Sequence, residues 1–164
     1  MSERKKRMRV IRTFPDIILK VKTKDVKEIT DATIKILEEM EKIVNNANAA
    51  GLAANQIGIS RSLAVALLEN GTFLRMINPQ VKVTSGEERE EEGCLSIPNA
   101  ILSVSRPRKV TIEYLDSSGT LKDFEASGFT ARVLQHEIDH LNGKLIFDKL
   151  EAEERLKFLR EYNK

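Results

Sequence analysis

The run His136-Glu137-Ile138-Asp139-His140 constrains this chain more than any other stretch. It holds the only two histidines of the 164 residues, and it lies among Val133, Leu134, Ile138 and Leu141, whose spacing is that of a helix packed by one face. A polar ring buried there without a partner costs free energy. Ser127 stands ready as an N-cap and Gly143 as a left-handed terminator, so a helix is expected from about Gly128 to Asn142. Residues four apart share a helix face, so His136 and His140 can aim at a single ion with Glu137 beside it. Imidazole is a good borderline ligand, and a carboxylate next to a metal-polarised water can take its proton and later return it to a leaving group. Amide hydrolysis assisted by a metal is the chemistry this pattern favours, over a helix with two incidental histidines.

A catalytic site needs a third protein ligand and a position left for water. The metzincin peptidases would place a histidine three residues beyond Gly143, where this chain has Ile146, and are excluded. In gluzincin peptidases a glutamate from a later helix ligates; Glu161 lies at about the right distance, but almost at the chain end among solvent-facing acids. The remaining soft donor is Cys94, in Glu92-Gly93-Cys94-Leu95-Ser96-Ile97-Pro98. A lone cysteine is more often packing than a ligand. Here Gly93 permits close backbone approach and Pro98 stiffens the segment beyond it, as an edge or loop presenting a thiolate requires.

The rest of the chain reads as one domain, 1–164, long enough to bury a core without disulfides. Its 41% hydrophobic and 32% charged residues mark a folded, rather highly charged protein. A formal charge of +2 is the near cancellation of many opposite charges, so no specific nucleic-acid site is expected. With one cysteine an intramolecular disulfide is impossible, and no apolar stretch is long enough for a signal peptide or membrane span; a reducing cytoplasm fits. The basic start, with Arg4, Lys5, Lys6, Arg7 and Arg9, is read as a solvated terminus.

Apolar residues from Val26 to about Asn46 recur at helical spacing, which predicts an amphipathic N-terminal helix. Asn45 to Ala54 reads as a loop or short extended segment. The runs Ser62–Leu68 and Thr72–Ile77, joined through Asn70-Gly71, predict a hairpin. Val110, Ile112 and Tyr114, the turn Asp116 to Gly119 and the run from Leu121 to Glu125 predict a second. A last helix, Glu151 to Tyr162, is expected to present Leu156, Leu159 and Phe158 to the body. Strands and helices mix without regular alternation, so the expected class is α+β, with antiparallel hairpins packed around a central metal-binding helix.

Three segments together resemble the peptide deformylase family: Gly51-Leu52-Ala53-Ala54-Asn55-Gln56, Glu92-Gly93-Cys94-Leu95-Ser96, and Gln135-His136-Glu137-Ile138-Asp139-His140-Leu141-Asn142-Gly143. Phe14-Pro15-Asp16 is similar to the family's proline-aspartate segment, so the resemblance spans nearly the whole chain. It implies removal of the N-formyl group from the initiator methionine of new polypeptides. The ion, ferrous iron or else zinc, nickel or cobalt, would be held by Cys94, His136 and His140, with Glu137 as base and then acid. The Gln56 amide and the Leu95 backbone N–H would face the formyl oxygen, and Gly51 would let the peptide lie along the backbone. Glu92, Phe129, Arg132 and Val133 fall where the family lines its methionine pocket, and the ribosome is a candidate partner of the chain ends. Asp139 is expected to pair with Arg106. One departure is Ala49, where the family has glycine, which makes a positive φ there unexpected. The rival readings are a gluzincin-like metallopeptidase using Glu161, and a non-catalytic domain stapled by its metal.

Overall fold

A computed structural model describes residues 7–162; the basic residues Arg4, Lys5 and Lys6 lie outside them. Strand β2 (Leu63–Leu67) shows how the layers are sorted. Its Leu63 and Val65 pack with Leu37, Met40 and Val44 of α1 (Asp31–Ala47). Its Ala64 and Ala66, with Ala53 of β1 (Gly51–Ala53), pack instead against Val133, Leu134, Ile138 and Leu141 of α2 (Gly128–Leu141). Branched side chains fill one face of the sheet. Alanines line the other and let α2 settle close to the strands.

The sheet is antiparallel throughout, in the order β1-β2-β3-β6-β7, with β3 at Phe73–Ser85, β6 at Lys109–Leu115 and β7 at Leu121–Ser127. Both expected hairpins form, turning at Gly71 (φ 83°) and Gly119 (φ 82°). β3 runs well beyond Ile77 because its second half pairs with β6, after a register shift that follows Ile77. At that shift the Asn78 amide holds both the N–H and the C=O of Val26, each at 2.8 Å. This anchor corrects the expected start of the first helix. Helix α1 begins only after Thr30, where Thr30 and Thr33 cap one another, and Val26 and Ile29 join its apolar cluster from outside the helix.

A second sheet pairs β4 (Glu88–Cys94) with β5 (Ile97–Arg106). No strand was expected over the acidic run of β4, because glutamate is a poor strand former. Arg132 of α2 supplies what local preference lacks, donating to the carbonyls of Glu88 (2.7 Å) and Val104 (2.9 Å). Ile97 and Val104 then pack with Leu19, Leu145, Ile146 and Phe147. Helix α3 (Ala152–Tyr162) covers this cluster with Phe158, Leu159 and Tyr162. Leu156 does not join them and is 53% exposed; it lies roughly 160° around the helix from Phe158, outside the docked stripe.

The ends of α2 also differ in detail from expectation. Ser127 occupies the N-cap position without a capping bond, and the chain enters the helix through Gly128 at φ 62°. At the other end Gly143 is left-handed (φ 75°), and a Cβ there would lie 2.8 Å from the backbone of Lys20. The architecture is α+β, with α2 running between the two sheets.

Candidate active site

Helix α2 carries His136 and His140 one turn apart, and the end of β4 brings Cys94 to them. The two Nε2 atoms lie 3.0 Å apart, and Cys94 Sγ lies 3.3 Å from His140 Nε2. All three donor atoms fall within 4.8 Å of one another. A tetrahedral ion with nitrogen and thiolate bonds of about 2.1 and 2.3 Å would hold such atoms about 3.4–3.6 Å apart, so this set fits one metal. The electrostatics agree. Burial opposes a charge on His136, yet its hydrogen bonds to Cys94 and Glu92 and the charge of Glu137 push its pKa up to about 10, so the site favours a cation. His140 is held well below its ordinary range by burial and by the positive charges of His136 and Arg106.

Behind His136 stands Glu92, which borders the pocket but has both oxygens engaged elsewhere. Oε1 lies 2.9 Å from His136 Nδ1 and accepts from Arg106 Nη2 at 2.9 Å. Oε2 accepts from Arg106 Nε at 2.5 Å and from Arg132 Nη1 at 2.6 Å. Burial alone would raise the Glu92 pKa; the bonds to His136 and Arg106 outweigh it and hold the carboxyl far below the usual range. With Nδ1 donating to this carboxylate, an ion that takes the place of the proton on Nε2 would meet the lone pair where the donor atoms converge. Arg106 also reaches Asp139 at 2.7 Å, as expected, and Lys149 joins Asp139 from the other side at 3.3 Å.

In front lies a cavity of about 380 Å³ whose lining includes Gly51, Gln56, Leu95, Phe129, Arg132 and Val133. Val133 is also part of the core, whereas Phe129 is 67% exposed at the rim. Glu137 reaches this cavity with no hydrogen-bond partner on its buried Oε2, and burial pushes its pKa up to about 7 against the charges of His136 and Arg106. Gly51 is what admits it, because a Cβ there would sit 2.9 Å from Glu137 Oε1 and 3.0 Å from the Val65 carbonyl oxygen. Gln56 is locked at both ends of its amide. Oε1 accepts from Ala53 N–H and Nε2 donates to Ser96 Oγ, each at 3.0 Å, which leaves Nε2 3.8 Å from Cys94 Sγ. Glu161 is exposed and borders a separate groove with Arg89, Ile101 and Lys157.

The family described as polypeptide deformylase matches residues 8–156 of the chain. The chain belongs to that family. A curated peptide deformylase of Thermoanaerobacter pseudethanolicus is 44% identical over 142 residues, covering 87% of this chain and 89% of its own length. Among solved structures, a peptide deformylase of Legionella pneumophila has a TM-score of 0.88 at 35% identity, covering 96% of this chain and 94% of that one. A peptide deformylase of Ehrlichia chaffeensis in complex with actinonin has a TM-score of 0.87 at 30% identity, covering 94% and 95%. Deformylation of nascent peptides is the work of this metal-dependent family, and this deformylase is an enzyme of that kind. Among the described residues no helix is long and apolar enough to cross a membrane.

Two residues of this deformylase site escaped the reading of the sequence. Ser96 anchors the Gln56 amide, and Asn55, fully buried, donates to the His140 carbonyl at 2.5 Å. Both belong to the segments that resemble the family, yet they were given no role there, because nothing in their type announces a partner forty or more positions away.

Proposed function

We propose that Cys94, His136 and His140 hold one divalent ion, ferrous iron in the native enzyme with zinc, nickel or cobalt able to replace it. The substrates are formyl-methionyl peptides of nascent chains. The convergence of Cys94 Sγ with both imidazole Nε2 atoms, beside the unpartnered carboxylate of Glu137, carries this reading. When bound, such an ion makes water more acidic and polarises a carbonyl oxygen. Glu137 takes one proton from the attacking water as its oxygen bonds to the formyl carbon. It then passes that proton to the amide nitrogen as the C–N bond breaks, which releases formic acid and the methionine amine; the acid proton then moves to the amine, leaving formate and a methionine ammonium group. Gln56 Nε2 and the Leu95 backbone N–H donate to the formyl oxygen as charge gathers on it.

β1 is an edge strand, so the substrate backbone lies beside Gly51 as an added strand. The methionine side chain enters between Phe129 and Val133, with Arg132 and Glu92 walling the pocket. Glu92 does more for His136 than for the substrate, because its oxygens are already taken. The binding of actinonin by the Ehrlichia deformylase supports a ligand pocket in this fold. We place the enzyme in the cytoplasm, as one domain that meets its substrates at or near the ribosome.

The test is to purify the protein without oxygen, load it with ferrous iron, and follow formate release from a formyl-methionyl peptide. Turnover that Glu137→Ala abolishes is expected, and no formate above that variant would overturn the assignment. Cys94→Ser should lose the ion while Glu161→Gln keeps it; the reverse would favour a gluzincin-like site.

A further inference from the structure

Three buried side-chain atoms among the described residues have no hydrogen-bond partner: Asn55 Oδ1, Glu137 Oε2 and His140 Nδ1. Glu137 borders the catalytic cavity, where water and substrate satisfy it. That leaves an amide oxygen and an imidazole nitrogen, and the residues that carry them are already joined by the bond from Asn55 Nδ2 to the His140 carbonyl. The amide cannot be turned round, because Oδ1 would then face a carbonyl oxygen. An imidazole that ligates through Nε2 carries its proton on Nδ1, and ligating histidines nearly always give that proton to an acceptor.

We propose that Asn55 is a positioning residue for His140, holding its backbone through Nδ2 and its ring through Oδ1, which accepts the Nδ1 proton by way of one buried water. The proposal rests on the reading of His140 as a metal ligand. Buried waters commonly bridge polar groups that would otherwise go unpaired, and here one donor and one acceptor belong to residues in contact. The arrangement makes the two imidazoles unequal. His136 is backed by the carboxylate of Glu92, whereas His140 is backed by a neutral amide and is therefore the less basic ligand. Asn55 also lies on the 3-10 turn Ala54–Ile57 that carries Gln56, so one side chain ties the turn facing the formyl oxygen to the last turn of α2.

Metal affinity and ring protons test this apart from activity. Asn55→Leu removes both bonds at similar size, and Asn55→Asp keeps the acceptor while losing the donor. Cobalt affinity, measured against a competing chelator, should fall about 10–100-fold in Asn55→Leu, with a shifted visible absorption of bound cobalt. In the zinc-loaded protein, a slowly exchanging Nδ1–H proton assigned to His140, distinct from that of His136 on Glu92, should appear in the NMR spectrum of the wild type and of Asn55→Asp, and vanish in Asn55→Leu. A folded Asn55→Leu protein whose cobalt affinity stays within about two-fold of wild type would overturn the proposal. So would loss of the ring proton in Asn55→Asp, since the backbone bond alone would then be what matters. If Asn55→Leu does not fold, Asn55→Ala takes its place with the same two readouts. Wild-type protein that takes up no cobalt would overturn the metal reading itself, an outcome separate from any effect of the variants.

Discussion

Glu92 and Gly51 carry the sharpest expectations at the scale of single residues. Glu92→Gln keeps the size of the side chain but leaves Arg106 and Arg132 without their shared carboxylate, and breaking a buried pair of this kind costs about 3–5 kcal/mol. It also loosens the orientation of His136, so zinc affinity should drop about 10–100-fold. Chelator competition and urea unfolding would show both effects, and unchanged affinity would refute the link from Glu92 to the metal. Arg106→Ala tests the same chain one step back. Gly51→Ala presses a methyl group against Glu137 Oε1 and the Val65 carbonyl. The carboxylate must shift, and displacement of a catalytic group by about 1 Å costs on the order of 100-fold in rate. Formate release should fall by that order while circular dichroism stays native.

Among the elements, α1 and β4 show where local sequence stops deciding. The first turn of α1 depends on the reciprocal Thr30–Thr33 cap, with Thr33 N–H to Thr30 Oγ1 at 3.4 Å and Thr30 N–H to Thr33 Oγ1 at 3.2 Å. Thr30→Ala should lower stability by about 1 kcal/mol, read as a reduced urea midpoint with an unchanged slope. Helical periodicity extended back to Val26, but the Asn78 amide claims the backbone of Val26 from across the molecule. In β4 the mismatch runs the other way, since a run of glutamates forms a strand because Arg132 grips the paired strands. Neither partner lies within a window that periodicity can read. The hairpins at Gly71 and Gly119 were legible for the opposite reason, because both strands and the turn lie within a few residues.

Across the whole molecule, the proposed ion ties the smaller sheet to the helix packed on the larger one. Cys94 belongs to the smaller sheet, and His136 and His140 belong to the helix packed on the larger one. Removing the metal should therefore loosen the contact between the two sheets as well as end catalysis. An ion present at about a thousand times its dissociation constant stabilises by about 4 kcal/mol, which for a chain of this size is a Tm difference of roughly 8–16 °C. Calorimetry with and without chelator measures it, and Cys94→Ser should show no such shift. Peroxide should inactivate the iron enzyme, because both ferrous iron and a thiolate ligand oxidise readily. Retained activity in the zinc form would trace the damage to the iron.

His136, Glu137 and His140 were legible because four residues make one helical turn, so a single local rule places two imidazoles on one face. Cys94 was reached as the one soft donor left for a third ligand and Gln56 by resemblance to the family, and the approach of both to that helix depends on pairings far apart in the chain. Only the tertiary structure decided that Glu92 turns from the pocket toward His136, that Ser96 locks the Gln56 amide, and that Asn55 holds His140. The physical reason is common to all three. Each is a hydrogen bond whose partner is forty or more residues away, and chain composition carries no information about such distances until strands pair and α2 docks between them.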